Sequence, residues 1–312
     1  MKVFVIGGTG AIGRILLPEL SRSGHDVVAL VRSRGKALDL ESRGIEAVVG
    51  NPLDPDELTT AVVGAAPEAI VHELTALDGV TSFKHLDDDF ELTNRFRTVV
   101  TDTLLAAARR SGARRFIVQS FCGWPYAREG GPVKSESDAL DRNPPAAFRK
   151  TLAAIRYQEE AVKSAHDLEA FALRYGVLYG PGTSIARGGE IVETVRRRRL
   201  PIVGGGTGVW SFTHIRDAAG ATLRALTEGT PGIYNVVDDE PAPVSSWLPV
   251  LAQAVGGKPP RTAPVWLARL AIGEGGVSMM TRIRGGSNAR AKREIGWQPI
   301  YPSWRQGFTA GL

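Results

Sequence analysis

The glycines near the start of the chain have the spacing of a loop that binds phosphate. The apolar run Val3–Ile6 is followed at once by GGTGAIG and then by a helical pattern. Such a strand-to-helix turn needs φ > 0, close approach of the backbone to a pyrophosphate, and tight packing of the helix on the sheet. The helix start then attracts phosphate through its N–H groups and dipole. A turn that only connects two elements is the alternative. The segment predicts dinucleotide binding by Gly7, Thr9, Gly10, Ala11, Ile12 and Gly13.

The residues after the next two predicted strands bear on the choice between NAD and NADP. Arg32 and Ser33 follow the second strand, where an acidic residue would suit the ribose 2′-hydroxyl of NAD and an arginine would accommodate a 2′-phosphate. They favour NADP, with an exposed arginine in a polar turn as the alternative. After the third strand, Asn51 and Leu53 are placed to border the adenine.

The elements that must position these residues alternate between short strands and longer helices. Amphipathic helices are predicted at Ala11–Ser23 and from about Asp89 to Ser111. Strands buried on both faces and separated by helices indicate a doubly wound parallel sheet of the Rossmann type. The predicted strands are Val3–Ile6, Val27–Val31, Ala47–Val49, Ala69–His72, Phe116–Gln119 and Ala170–Tyr175.

The rhythm of strands and helices changes near Gly180, where turns and shorter elements begin. The sequence predicts a dinucleotide-binding domain over residues 1–180 and a smaller C-terminal α/β substrate lobe over residues 181–312. Some elements of the two parts are expected to interleave.

Composition excludes several classes of protein. In 312 residues, hydrophobic residues make up 43% and charged residues 23%, which argues against wholesale disorder. No apolar stretch approaches the roughly 20 residues of a membrane span. The single cysteine, Cys122, and the absence of a signal-peptide pattern predict a cytoplasmic protein.

The net charge of +5 does not by itself predict a nucleic-acid partner. The basic residues are scattered apart from the run 196–199, which has the character of a solvated helix end. Because no nucleic-acid reader motif accompanies the charge, we expect a small-molecule substrate, no nucleic acid, no membrane, and a monomer or homodimer.

Several segments together resemble one enzyme superfamily. GGTGAIG, the NPLD turn, Asn94 in the long helix, RYGVLYGPG, SFTHIRD, GIYNVVDDEP and SNARAKREIGWQP are similar to the extended or atypical branch of the short-chain dehydrogenases/reductases, the NAD-dependent epimerase/dehydratase group. The resemblance covers nearly the whole chain. It implies that the loop containing Pro181 lies near the nicotinamide, and that the cleft under the smaller lobe holds the substrate.

The catalytic residues usual in that superfamily are not retained. Its members carry Ser or Thr after the fifth strand and a helical YxxxK, in which tyrosine is the acid/base and lysine holds the ribose. Here Phe121 or Cys122 stands at the serine position, depending on the register chosen. On the helix, Thr151 stands where the tyrosine is expected and Ile155 where the lysine is expected.

Other residues are candidates to replace the missing acid/base pair. Tyr157 lies further along the same helix, with Tyr126 second and Ser120 or Cys122 as orienting neighbours. Each has a structural alternative: a capped helix tyrosine for Tyr157, and a small buried filler for Cys122.

Further residues are candidates for supporting roles. Lys134 or Lys150 could supply a cation near the acid/base group. Asp87–Asp89 is interpreted as helix capping rather than a cation site, and no metal-ligand spacing is present among the histidines. Trp124, Trp210 and Trp266 could line the cleft, although at least one is expected in the core.

Three functions fit these observations. The leading hypothesis is an NADP-dependent oxidoreductase or epimerase-type enzyme that acts on a small organic carbonyl or hydroxyl substrate through a non-standard proton donor. The alternatives are a non-redox isomerase, cyclase or dehydratase on the same fold, and an inactive dinucleotide-sensing regulator.

Overall fold

The computed structural model describes residues 1–77 and 84–312. Within them, each strand predicted from the sequence is present to within two residues at either end. The strands are β1 (Lys2–Ile6), β2 (Asp26–Val31), β3 (Glu46–Val49), β4 (Ala69–His72), β5 (Arg115–Phe121), β6 (Val133–Lys134), β7 (Glu169–Tyr175), β8 (Val177–Tyr179), β9 (Ile202–Val203), β10 (Val209–Trp210), β11 (Phe212–His214), β12 (Gly232–Val236), β13 (Ala242–Pro243), β14 (Thr262–Ala263) and β15 (Gly285–Gly286).

Seven of these strands form one parallel sheet in the order β12-β7-β5-β4-β1-β2-β3. The chain runs outward from β1 to β3 on one side and from β4 to β12 on the other. The order therefore reverses between β1 and β4, where the carboxyl ends of the strands leave a crevice for ligands. This confirms the predicted doubly wound Rossmann-type sheet.

Helices cover both faces of the sheet and build the C-terminal part. The helices are α1 (Gly13–Arg22), α2 (Arg34–Glu41), α3 (Pro55–Ala65), α4 (Leu86–Asp89), α5 (Glu91–Arg95), α6 (Thr101–Ser111), α7 (Arg149–Ser164), α8 (Glu190–Arg196), α9 (Ile215–Thr227), α10 (Val244–Ala254), α11 (Val265–Thr281), α12 (Ala289–Glu294) and α13 (Trp304–Ala310), with a 3-10 turn at Ala146–Phe148. Among the described residues, no helix is long and apolar enough to cross a membrane.

The prediction of a single long helix from about Asp89 to Ser111 is wrong in detail. It is divided into α5, a π-helix at Phe96–Val100, and α6. The Phe96 carbonyl lies 3.2 Å from His72 Nε2 and accepts a hydrogen bond from the Thr101 hydroxyl at 3.4 Å. His72 and Thr101 thus contact a carbonyl oxygen that a regular α-helix would use for its own backbone hydrogen bond. This accounts for the wider π-turn at this point of the helix. Such π-turns are frequent at functional sites.

Three large apolar clusters hold the molecule together. One lies between the sheet and α1 with α9, and another between the opposite face and α3 with α6. The third fills the C-terminal part and includes Trp210, Phe212 and Trp247. β12 and α9, which lie beyond residue 180, pack with the N-terminal sheet. The boundary at residue 180 stays a prediction.

Candidate active site

The glycine loop joins β1 to α1, and its three spaced glycines have different physical reasons. Gly7 has φ = +87°, and a Cβ there would collide with the backbone of Glu73. A Cβ at Gly13 would collide with the backbone of Gly7. Gly10 is exposed, and the nearest atom to a Cβ built there is the Gly7 carbonyl oxygen at 3.3 Å. Packing explains Gly7 and Gly13, whereas Gly10 leaves the backbone open to a ligand.

The start of α1 offers unpaired donors beside this open backbone. Its N-cap residue, Ile12, makes no side-chain capping hydrogen bond, and the first turn contains no acidic residue. Among the described residues, no acceptor lies on the N–H groups of Ala11 and Ile12, although the adjacent Gly10 N–H donates to Gly7 oxygen at 3.0 Å. Unpaired N–H groups and a positive dipole end suit a phosphate. Thr9 contributes its carbonyl, which accepts from Arg14 Nε at 3.0 Å.

The residues predicted for the adenosine end follow β2 and β3 at the same edge of the sheet. Arg32 and Ser33 are exposed, and Arg32 forms no ion pair within the described part of the chain. Asn51 is also exposed, and its side-chain oxygen accepts from the backbone N–H of Leu53 at 3.1 Å. The Asn51 amide nitrogen therefore stays available to donate. An open groove of about 1040 Å³ includes Arg32 and Asn51, but it follows β3 and α3 and contains no residue of the glycine loop.

The loop after β8 approaches the glycine loop from the other side. Pro181 is exposed, and a Cβ built on the next residue, Gly182, would lie 4.0 Å from the Ala11 side chain. The structure thus brings the glycine loop and the loop containing Pro181 together at the carboxyl ends of the strands.

A buried polar network engages two of the predicted catalytic residues. Ser120 donates to Glu159 at 2.7 Å, and Glu159 receives both Nε and Nη2 of Arg174 at 2.6 Å. Arg174 Nη1 donates to the Tyr126 hydroxyl at 2.8 Å, which in turn donates to Asn235 at 2.7 Å. Ser120 and Tyr126 therefore have their donor roles filled inside the protein. Burial further raises the pKa of Tyr126 above its ordinary value.

Tyr157 lies on the opposite face of α7 from this network. Its side chain is 47% exposed, and its hydroxyl donates to Asp102 on α6 at 2.6 Å. Residues two apart on a helix are about 200° apart, so Tyr157 points away from the sheet-facing Ile155 and Glu159, which are buried. This geometry argues against the proton-donor role that the sequence suggested for Tyr157, because the hydroxyl faces solvent and α6.

Cys122 is packed as a small interior residue. It is 1% exposed, and a Cβ built on Gly286 would collide with its sulfur. Burial raises the pKa of the thiol well above its usual value, so the sulfur stays protonated. These contacts favour the filler interpretation over a reactive thiol.

The row of α7 residues that faces the sheet includes Thr151 and Ile155, the positions where the family resemblance predicts the tyrosine and the lysine. Thr151 donates its hydroxyl to Asp87 at 2.7 Å and accepts from Asn94 Nδ2 at 3.1 Å. Ile155 is fully buried and offers no polar group. The prediction that Asp87 caps the helix it precedes is wrong. Asp87 lies within α4 and accepts from the backbone N–H groups of Lys150 and Thr151, so it caps α7.

The remaining candidates occupy varied environments. Lys134 is buried and pairs with Asp138 at 3.4 Å, and Lys150 is exposed. Trp210 is core, with its indole N–H donating to Met279 oxygen at 2.8 Å. Trp124 is 7% exposed and packs near Phe148, whereas Trp266 is 67% exposed on α11.

Sequence reasoning missed the buried charged residues near the ends of β4 and β7. Glu73 is 5% exposed, and one oxygen accepts from Tyr175 at 2.9 Å and Thr222 at 3.0 Å. Its other oxygen is buried without a partner among the described residues, and burial raises the pKa of Glu73 to about 7. Arg174 and Arg97 are also buried. The signal available was an ionisable residue inside an apolar run, as in EAFALRY.

Comparison with known proteins identifies relatives over the whole chain. Residues 3–236 match the model of the NAD dependent epimerase/dehydratase family. A 3-diazoavenalumate denitrifying reductase from a Streptomyces species is 41% identical, and the match covers 99% of each chain.

Solved structures show the same fold at lower identity. A Thermus thermophilus UDP-glucose 4-epimerase in complex with NAD has a TM-score of 0.74 at 22% identity, and the match covers 100% of this chain and 97% of the other. A human epimerase family protein with NADPH has a TM-score of 0.74 at 20% identity, over 99% and 98% of the two chains. With a family model that matches most of its length and a relative that it follows from end to end, the chain belongs to the NAD dependent epimerase/dehydratase family.

Proposed function

We propose that this protein is an NADPH-dependent reductase that places hydride on a carbon bearing a diazonium group, with release of N₂. The observation that carries the proposal is the state of the proton donors. Thr151 and Ile155 occupy the expected acid/base positions. The other candidates are not free to donate to a substrate. Ser120 and Tyr126 are buried and hydrogen-bonded within the protein, and Cys122 is buried. The Tyr157 hydroxyl faces solvent and bonds to Asp102.

This arrangement suits a reaction that needs no acid. Reduction of a carbonyl develops an alkoxide that a general acid must protonate, and that help is typically worth about 10²–10⁴ in rate. Displacement of nitrogen follows R–N₂⁺ + NADPH → R–H + N₂ + NADP⁺. A C–H bond forms from the hydride, the C–N bond breaks with its electron pair leaving on N₂, and no proton moves.

The relatives support the reaction class. The 41% identical relative is named a 3-diazoavenalumate denitrifying reductase, a name that joins a diazo compound, loss of nitrogen and reduction, and the match covers both chains almost entirely. The exposed Arg32 after β2, which forms no ion pair with a described residue, favours NADPH over NADH. The reduced nicotinamide would supply the hydride. The residues of the chain would bind and orient: the glycine loop at the pyrophosphate and Arg32 at the 2′-phosphate.

The test follows hydride from cofactor to product. Purified protein is incubated with 4,4-dideuterated NADPH and 4-carboxybenzenediazonium, and the released N₂ and the arene product are measured. We expect one N₂ per NADPH consumed, deuterium at the carbon that carried nitrogen, and no label from D₂O at that carbon when unlabelled NADPH is used. Diazonium salts react slowly with reductants even without an enzyme. The rate measured with the Gly10→Val variant, which should not bind NADPH, therefore serves as the background.

Two other outcomes would replace the proposal. If the enzyme turns over a 3-oxo ester but not the diazonium salt, its reaction is the reduction of a carbonyl group. Cofactor binding with no oxidation of NADPH by either substrate would favour the non-redox or regulatory alternatives.

A further inference from the structure

We propose that Arg97 holds the ribose on the nicotinamide side of the cofactor, supplying from the π-helix the cation that the buried, sheet-facing row of α7 lacks. The inference rests on the proposed function only in that a nicotinamide dinucleotide binds.

Arg97 is a buried cation with few protein partners. Its side chain is 7% exposed, and its one hydrogen bond to the described residues runs from Nη1 to Asn94 Oδ1 at 3.2 Å. No carboxylate of the described residues lies within ion-pair distance, and the guanidinium sits 5.7 Å from the Phe90 ring centre. Burial lowers the pKa of Arg97 to about 10, although attraction to Glu159 opposes the change, so the group stays charged at neutral pH.

The position of Arg97 is fixed between β4 and the sheet-facing row of α7. Asn94, which accepts from Arg97, donates to the Thr151 hydroxyl at 3.1 Å. The neighbouring Phe96 carbonyl is 3.2 Å from His72 at the end of β4. That row presents the Thr151 hydroxyl, the Ile155 alkyl group and the Glu159 carboxylate. Arg97 adds a cation beside the row, and no carboxylate of the described residues forms an ion pair with it.

Arg97 has no carboxylate of its own among the described residues. Glu159, which attracts it, is already hydrogen-bonded by Arg174 and Ser120. A buried charge without a full counter-charge is costly in free energy unless hydrogen-bond acceptors meet it. The Nε and Nη2 groups of Arg97, which have no acceptor among the described residues, are donors for such oxygen atoms.

A bound dinucleotide would extend from the glycine loop toward this end of the sheet. The open backbone at Gly10 would hold the pyrophosphate at the end of β1, and Arg32 would hold the adenosine end at β2. A dinucleotide that spans the crevice then has its nicotinamide half over the carboxyl ends of β4 and β5. The ribose hydroxyls of that half would then be the acceptors for Arg97 Nε and Nη2.

The test is a set of ligands of increasing length, measured by calorimetry on the folded protein. NADP⁺ and 2′-phospho-ADP-ribose contain the second ribose, and 2′,5′-ADP lacks it. We expect Arg97→Met to weaken the first two by about ten- to a hundredfold, the usual effect of losing a charge-assisted hydrogen bond, and to leave 2′,5′-ADP within twofold. Equal weakening of all three ligands, or of none, would overturn the assignment.

Two further variants separate ribose binding from a structural role. Arg97→Lys should keep NADP⁺ binding within about threefold. Adding Ile155→Lys to Arg97→Met should recover most of the loss, because it places an ammonium on the adjacent, sheet-facing row of α7. If Arg97→Met does not fold, Arg97→Gln gives the same comparison while keeping a donor to Asn94. If the unmodified protein does not bind NADP⁺, the proposed function itself is wrong. If it binds NADP⁺ and substitution of Arg97 has no effect on the affinity, only this inference is wrong.

Discussion

Thr151 donates its hydroxyl to the carboxylate of Asp87 at 2.7 Å, at the helix position where the family resemblance leads one to expect a catalytic tyrosine. The same carboxylate accepts from the backbone N–H of Thr151 at 2.8 Å. A threonine held in this way serves the start of α7 as part of its cap. Because its hydroxyl proton is already donated to Asp87, Thr151 has none to offer a substrate. Hydride displacement of N₂ needs no such proton.

Gly10→Val should abolish cofactor binding with little effect on folding. A branched side chain would stand where the backbone is open, while packing around Gly7 and Gly13 would be unchanged. Calorimetry with NADPH and a thermal melt of the free protein measure the two effects. The matched control is Gly220→Val on α9, because a Cβ there meets no atom within 4 Å. Retained NADPH binding in the Gly10 variant would show that the loop is only a connection.

Arg32→Ala should remove most of the preference for NADPH over NADH. The lost charge-assisted contact is worth roughly 1.5–3 kcal/mol, or about ten- to a hundredfold in affinity. Dissociation constants for both cofactors are compared with those of Arg34→Ala, whose guanidinium is occupied by Glu41 at 3.0 Å. Equal affinity of the unmodified protein for the two cofactors would rule out the assignment of Arg32.

Tyr126→Phe should lower stability without removing a proton donor. The change leaves Arg174 Nη1 and Asn235 Oδ1 without their buried partner, and each such loss costs about 1–3 kcal/mol. Denaturant unfolding measures the free energy, and the turnover rate is expected to change little. Tyr157→Phe, at a half-exposed hydroxyl, should alter neither quantity much. If either variant folds fully yet turns over about a hundredfold more slowly, the loss expected for a general acid, that tyrosine is the proton donor after all.

Glu73→Gln should flatten the dependence of stability on pH. The folded pKa of Glu73 is raised to about 7 by burial, above its ordinary value of 4.5. Between those values the folded carboxyl is protonated and the unfolded one is ionised, so the free energy of unfolding falls as pH rises. The loss is complete above about pH 7 and amounts to about 3 kcal/mol at roughly 1.36 kcal/mol per pKa unit.

The measurement for Glu73 is denaturant unfolding at a series of pH values from below its ordinary pKa to above its raised one. Relative to the unmodified protein, Glu73→Gln should gain stability steadily across this range. The exposed Glu160, paired only loosely with Lys163, is the control site for the same substitution. Parallel curves for the Glu73 variant and the unmodified protein would show that Glu73 ionises normally in the folded state.

The strands and the glycine loop could be predicted because they depend on local pattern. Apolar runs such as Val3–Ile6 and Ala69–His72 define buried strands, since a parallel strand covered on both faces must be apolar throughout. The glycine loop could be found in the same way, because its backbone requirements belong to a few consecutive residues.

Which polar groups are free, by contrast, could be learned only from the folded chain. Whether Tyr126 can donate a proton depends on Arg174 and Asn235, which lie 48 and 109 positions away. The capping role of Asp87 depends on Thr151, 64 positions away, and the position of Arg97 depends on a π-turn whose carbonyl contacts His72. Hydrogen-bond partners are determined when distant segments pack together, so the spacing of residues along the chain does not reveal them.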